Sequence, residues 1–188
     1  MRLTFKVDFH GPFIVSTGSA SDSLDHTVDE EEPFPSSELK GLLRAHAKTW
    51  LGIPERVVGE IFGTATANGA WIFSSVSVQK MQQIDDLAPG LDPSIWNRVT
   101  VDSDGRAQER ALVSGRQVWA SEGEFAATWD GAGEVPTAHM LVIRAAARDI
   151  VSVGMNRRRG FGWVTVTDLE PWSEADSLAL HDIRMTNG

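Results

Sequence analysis

Met155-Asn156-Arg157-Arg158-Arg159-Gly160-Phe161-Gly162-Trp163-Val164 joins an apolar helical run to an alternating strand. The glycines let backbone N–H groups come close to a phosphate, and adjacent guanidiniums hold phosphate oxygens bidentately. Upstream of the loop, Pro136 suits the first turn of a helix; Met140, Ile143, Ala147, Ile150 and Val151 form its buried stripe, and Gly154 closes it. Downstream, residues 161–167 alternate as a strand. Such a cation cluster stands out in a chain with a formal charge of -9. It points to RNA.

The rest of the chain supplies the partners of this helix–loop–strand unit. Leu3, Phe5, Val7 and Phe9 share one face of an N-terminal strand, with Thr4, Lys6 and Asp8 on the other. His10-Gly11-Pro12 interrupts it, Phe13-Ile14-Val15 continues it, and a polar loop runs from 16 to 35. A helix begins at Ser36-Ser37, where a hydroxyl can cap free N–H groups and Glu38 suits the first-turn dipole. Leu39, Leu42, Leu43, Ala47 and Trp50 lie on one face; Lys40, Arg44 and Lys48, at successive i+4 steps, form a basic ridge on another. Gly52-Ile53-Pro54 ends this helix, and a short one covers 55–61.

Residues 71–78 read as one strand, rich in aromatic and β-branched types. Residues 80–114 read as an inserted hairpin, with short strands near 98–101 and 110–113 around Asp104-Gly105. A further strand pair is expected at 116–120 and 124–129. The order strand, helix, strand, insertion, strand, helix, strand is the α+β, ferredoxin-like (RRM-like) β-α-β-β-α-β pattern. It predicts one domain over 1–170, followed by an irregular C-terminal tail at 171–188.

Composition narrows the setting. The 188 residues suffice for one domain with a substantial core, and 41% hydrophobic with 23% charged residues is ordinary for a globular chain. The absence of cysteine removes disulfides and thiolate zinc sites and fits a reducing compartment. No apolar run approaches the ~18 residues of a membrane span, so the expected location is cytoplasmic. The net acidity excludes an indiscriminate nucleic-acid binder, which carries a basic surface. Cations concentrated along one groove remain compatible with holding a single strand.

Four motifs, in order along the chain, resemble the RAMP superfamily, and within it the backbone subunits of type III CRISPR effector complexes. They are the helix start Pro35-Ser36-Ser37-Glu38-Leu39-Lys40-Gly41-Leu42-Leu43-Arg44, then Ile61-Phe62-Gly63 with the strand Trp71-Ile72-Phe73. Next come Arg98-Val99-Thr100-Val101-Asp102 through Gly105 to Gly123-Glu124-Phe125, and finally the glycine-rich loop from Gly154 to Gly162. The chain departs from the family's helix start at Ser36, where glycine is usual, and at Glu38, whose acid competes with phosphate at the helix N-terminus.

The resemblance implies a subunit that binds guide RNA, stacks with other effector subunits and copies of itself, and supports metal-dependent endonucleolytic cleavage of complementary target RNA. It implies a catalytic aspartate in the loop between the first strand and helix, which offers Asp22, Asp25 and Asp29. Asp25 best matches the position, and its carboxylate can hold Mg²⁺ or another divalent metal against a scissile phosphate. His26, with an ordinary pKa near ~6.5, is the alternative general base. Guide contacts are expected from Lys40, Arg44, Lys48, Arg157, Arg158, Arg159, Gly160 and Gly162. The inserted hairpin corresponds to the family's thumb, with Met81, Ile95 and Trp96 as apolar wedges between bases. Alternative expectations are a non-catalytic RNA-binding subunit, a metal-independent repeat-processing ribonuclease using His26 or His46, and an acidic module with no RNA role.

Overall fold

The computed structural model describes residues 1–20, 24–80, 92 and 94–186, without the side chains of Lys80 and Arg158. Asp22 and Met81 lie outside the described residues. In chain order the elements are β1 (Arg2–Phe9), α1 (Ser36–Ala45), α2 (Glu55–Phe62), β2 (Trp71–Phe73), β3 (Ser77–Lys80), β4 (Ile95–Val101), β5 (Ala107–Arg116), β6 (Ala120–Trp129), α3 (Thr137–Arg148), β7 (Val164–Asp168) and α4 (Glu174–Met185).

The alternation in β1 works as its sequence dictates: Leu3, Phe5, Val7 and Phe9 are buried, and the residues between them are not. β1 lies centrally, antiparallel to both β6 and β7, which gives the sheet order β2-β6-β1-β7, with β3 also on β6. Helices α1 and α3 bridge the two halves, so this is the ferredoxin-like core. Phe5 stacks on Phe125 at 4.7 Å and Phe9 on Phe13 at 4.8 Å. Leu39 and Leu43 of α1 with Val142, Ile143 and Ala146 of α3 complete the buried layer. Burying each large apolar side chain contributes roughly 1.5–3 kcal/mol. The β4–β5 hairpin forms a separate two-stranded sheet inserted between β3 and β6.

Several expectations need correction. The strand expected over 71–78 is two short ones, because Ser74 bonds Ala126 through its own side chain and Val76 N–H turns to the carbonyl of Phe34 at 3.0 Å. The pair expected at 116–120 and 124–129 is instead the single strand β6, while Val118 pairs with Phe13. No side chain caps α1; Pro35 is its N-cap, and its carbonyl takes the N–H of Leu39 at 3.1 Å. Past Ala45 the helix widens into a π turn over His46–Trp50, with Leu51 N–H bonded to His46 at 2.9 Å. That extra residue rotates Trp50 off the buried face, leaving it 72% exposed. Helix α3 ends at Arg148, so Val151 falls beyond it and is exposed.

The C-terminal segment is not irregular. Ser173 accepts from the Asp176 N–H at 3.1 Å while Asp176 accepts from the Ser173 N–H at 2.9 Å, a reciprocal capping box that starts α4. Leu180 and Ile183 pack against the core. Arg144 of α3 anchors the approach to this helix: it pairs with the buried Asp168, donates to the carbonyls of Glu170 and Pro171 at 3.2 Å, and lies 5.3 Å over the Trp172 ring. Removing one partner of such a buried pair strands the other charge. Asp168→Ala is therefore expected to cost about 3 kcal/mol, read as a lowered thermal unfolding midpoint. An unchanged midpoint would show that the pair contributes nothing.

Candidate nucleic-acid interface

The arginine loop is a ledge anchored at both ends. Met155 N–H bonds Ile14 and Gly162 N–H bonds Pro12, both at 2.8 Å, while His10 N–H bonds Trp163 at 2.9 Å. The loop is thus stitched to the segment that leaves β1. At Gly162, φ is +72° and an added Cβ would lie 2.0 Å from the Val153 carbonyl, so packing alone demands glycine there. Gly160, at φ +88°, has open space beside it. Between Asn156 and Gly160, both left-handed, Arg157–Arg159 forms a single 3₁₀ turn. Arg157 and Arg159 are exposed, and among the described residues neither has an acidic partner.

From this ledge Phe161 reaches the base of the inserted hairpin, meeting Trp96 edge-on at 6.0 Å. Trp96 in turn stacks on His26, also at 6.0 Å. His26 belongs to the loop after β1, and its neighbour Asp25 is held against β5. The Asp25 N–H bonds the Ser114 carbonyl at 2.9 Å, and Asp25 Oδ2 accepts the Ser114 N–H at 2.8 Å. Arg116 N–H bonds the His26 carbonyl at 2.9 Å, and its guanidinium meets Glu30 at 2.6 Å. Three stretches far apart in sequence, at 25–26, 96 to 116 and 157–161, therefore converge. The arrangement places an exposed carboxylate and two exposed guanidiniums on elements joined through one aromatic row.

A family model for the RAMP superfamily matches residues 8–165. The chain belongs to the RAMP superfamily. No curated protein matches it. Among solved structures it is similar to a chain of the type III-B Cmr-beta complex bound to cognate target RNA, at 11% identity and TM-score 0.66, covering 97% of this chain and 98% of that one. A chain of the same complex in its apo state matches at 10% identity and TM-score 0.66, covering 90% and 98%. The likeness in each case is one of fold.

On this RAMP core the other expected contacts fare unequally. Arg44 and Lys48 both reach Glu55 at the start of α2, at 3.7 and 2.6 Å, and the bond from Lys48 leads in holding the Glu55 carboxyl below its usual range. Two steps of the expected ridge thus share one carboxylate within the chain, leaving Lys40 without an acidic partner among the described residues. Trp96 is not a wedge: it is 8% exposed, closed in by His26 and Phe161 at the hairpin's base. Ile95 is half-buried opposite Arg116. Among the described residues the large apolar side chains exposed on the hairpin are Val99 (44%), Val101 (57%) and Leu112 (62%), with Val99 and Leu112 directly paired across the strands. The alternation of β4 carried that signal, since Val99 and Val101 occupy the face opposite Trp96.

His46 and His139 are engaged elsewhere. His46 is buried with Nδ1 2.7 Å from Asp149, and His139 sits between Trp71 and Glu60. The open sheet face differs from that of an RNA-stacking RRM, whose central strands display aromatics. Lys6 there is bridged to Asp8 and Glu122 at 3.1 and 3.0 Å; the bonds to Glu122 and Asp8 raise its pKa. Glu124 adds a further acid on the same strand. Among the described residues no three His, Asp or Glu groups cluster to enclose a metal ion. Mg²⁺ commonly takes only one or two carboxylates and completes its shell with water and phosphate, so the lone Asp25 carboxylate fits a metal shared with RNA.

Proposed function

We propose that this chain is a backbone subunit of a cytoplasmic type III CRISPR effector complex, binding guide RNA and supporting metal-dependent cleavage of complementary target RNA. The fold-level likeness to chains of a complex bound to target RNA supports the setting. The single observation that carries the chemical reading is the fixed Asp25 carboxylate beside the hairpin base, connected through Trp96 and Phe161 to the arginine loop.

Each residue has a distinct part. Arg157, Arg158 and Arg159 hold guide phosphates, and Lys40 extends the contact along α1. Val99, Val101 and Leu112 supply the apolar hairpin surface that meets bases. Asp25 would hold the divalent metal, which when bound neutralises charge at a phosphate and acidifies an attacking oxygen. Sequence is read by base pairing, and the protein reads backbone and shape. Neighbouring subunits and copies of the chain extend the groove.

The test is to isolate the native complex, analyse it for bound RNA, and present complementary target RNA with Mg²⁺ or with EDTA. Bound guide and cutting only with metal are expected. Target binding without cutting in either condition would assign a structural, non-catalytic role. Cutting of hairpin repeat RNA in EDTA would assign a metal-independent ribonuclease, and absence of bound RNA would remove the RNA reading altogether.

A further inference from the structure

An aspartate on a long polar loop would ordinarily be solvated and poorly placed. Asp25 is neither alone nor loosely held. It exchanges two hydrogen bonds with one residue of β5, giving its N–H to the Ser114 carbonyl at 2.9 Å and taking the Ser114 N–H on Oδ2 at 2.8 Å. His26 continues the pairing as a parallel bridge to Gly115. The Asp25–His26 step is thus bonded along β5 at the hairpin's base.

Side chains reinforce the junction. Ser114 Oγ donates to Asn97 Oδ1 at 2.7 Å, tying β5 to β4 at the residue that holds Asp25. A Cβ on Gly115 would stand 2.8 Å from Trp96 Nε1, so the missing side chain is what lets the indole lie flat across β5 and under His26. Trp96 Nε1 is buried there without a hydrogen-bond partner among the described residues, which marks the indole as placed by packing.

We propose that Ser114 is a positioning residue whose backbone amide fixes the Asp25 carboxylate, so that the β4–β5 hairpin and the metal-holding group move as one unit. This rests on the assignment of Asp25 under the proposed function. Its consequence is that the place where the hairpin seats on RNA determines where the carboxylate stands. A hydrogen bond to a metal-holding carboxylate orients the ligating oxygen, and its loss typically weakens metal affinity about 10–100-fold.

The first test reads the bond without reference to cutting. Amide hydrogen exchange at Ser114 in the assembled complex is expected to be slow in the natural chain and in Asp25→Asn, which keeps an acceptor oxygen, and fast in Asp25→Ala. The second test replaces Ser114 with Pro, which removes the N–H, and measures the Mg²⁺ concentration for half-maximal cutting; a rise of about tenfold or more is expected. Should Ser114→Pro fail to assemble, the exchange experiment alone decides. Equal Ser114 exchange in the natural chain and Asp25→Ala overturns the proposal. So does an unchanged Mg²⁺ requirement in an assembled Ser114→Pro complex that cuts at full rate. If that happens while Asp25→Ala is inactive, the proposed function stands and this inference alone falls. If Asp25→Ala cuts normally, the functional assignment falls, and the exchange experiment still decides the bond.

Discussion

Complexes carrying Asp25→Ala are expected to bind guide and target RNA at natural affinity and to cut the target at least roughly a hundredfold more slowly. The separation follows from where the residue sits. Asp25 is exposed and contributes no apolar burial, so its truncation leaves the ferredoxin-like core and the arginine loop intact. What disappears is a carboxylate available to a divalent metal. Neutralising developing charge at a phosphate accounts for several kcal/mol of transition-state stabilisation. A single-turnover cleavage assay on assembled complex, beside a filter-binding measurement of the same preparation, reads both halves. Full-rate cutting by Asp25→Ala would remove the residue from the chemistry. Loss of target binding in parallel with cutting would reassign it to RNA contact.

The paired substitution Arg157→Ala and Arg159→Ala is expected to act on binding alone. Both guanidiniums are exposed and lack acidic partners among the described residues, so neither is already committed to the fold. Each lost phosphate contact to a single strand lowers the slope of log affinity against log salt by about 0.7, and the pair therefore by about 1.4. Guide affinity should fall roughly tenfold per arginine, the equivalent of about 1.4 kcal/mol for each charge-assisted contact. The contrast with Arg44→Ala is informative, because Arg44 already faces Glu55 at 3.7 Å and should change the slope less. An unchanged slope in the double variant would show that the loop does not touch the guide.

The net charge of -9 becomes intelligible in these terms. Acids gather on the open sheet face, where Asp8, Glu122 and Glu124 lie with Lys6 and Arg2, and along the polar loop at Glu30, Glu31 and Glu32. The arginine turn lies at the end of the sheet where Phe9 pairs with Val164. At physiological salt the field of exposed acids decays over about 8 Å.

The order of the core strands and helices and the buried face of β1 were legible from residue type alone. The alternation Leu3, Phe5, Val7, Phe9 and the stripe through Ile143 and Ala147 report which side must leave water, and that demand is local. The glycine at 162 was legible as a turn, although its reason, the Val153 carbonyl 2.0 Å from any Cβ, belongs to the fold. Even the α4 start is written in Ser173 and Asp176, three residues apart. Tertiary structure decided the rest. Whether Lys48 is free depends on where Glu55 arrives after a turn, and whether Trp50 is buried depends on one extra residue in a helical turn. The bond between Asp25 and Ser114 joins residues 89 apart, and no periodicity spans such a distance. Local pattern sets which residues hide from water; only the folded chain sets which of the remaining ones meet.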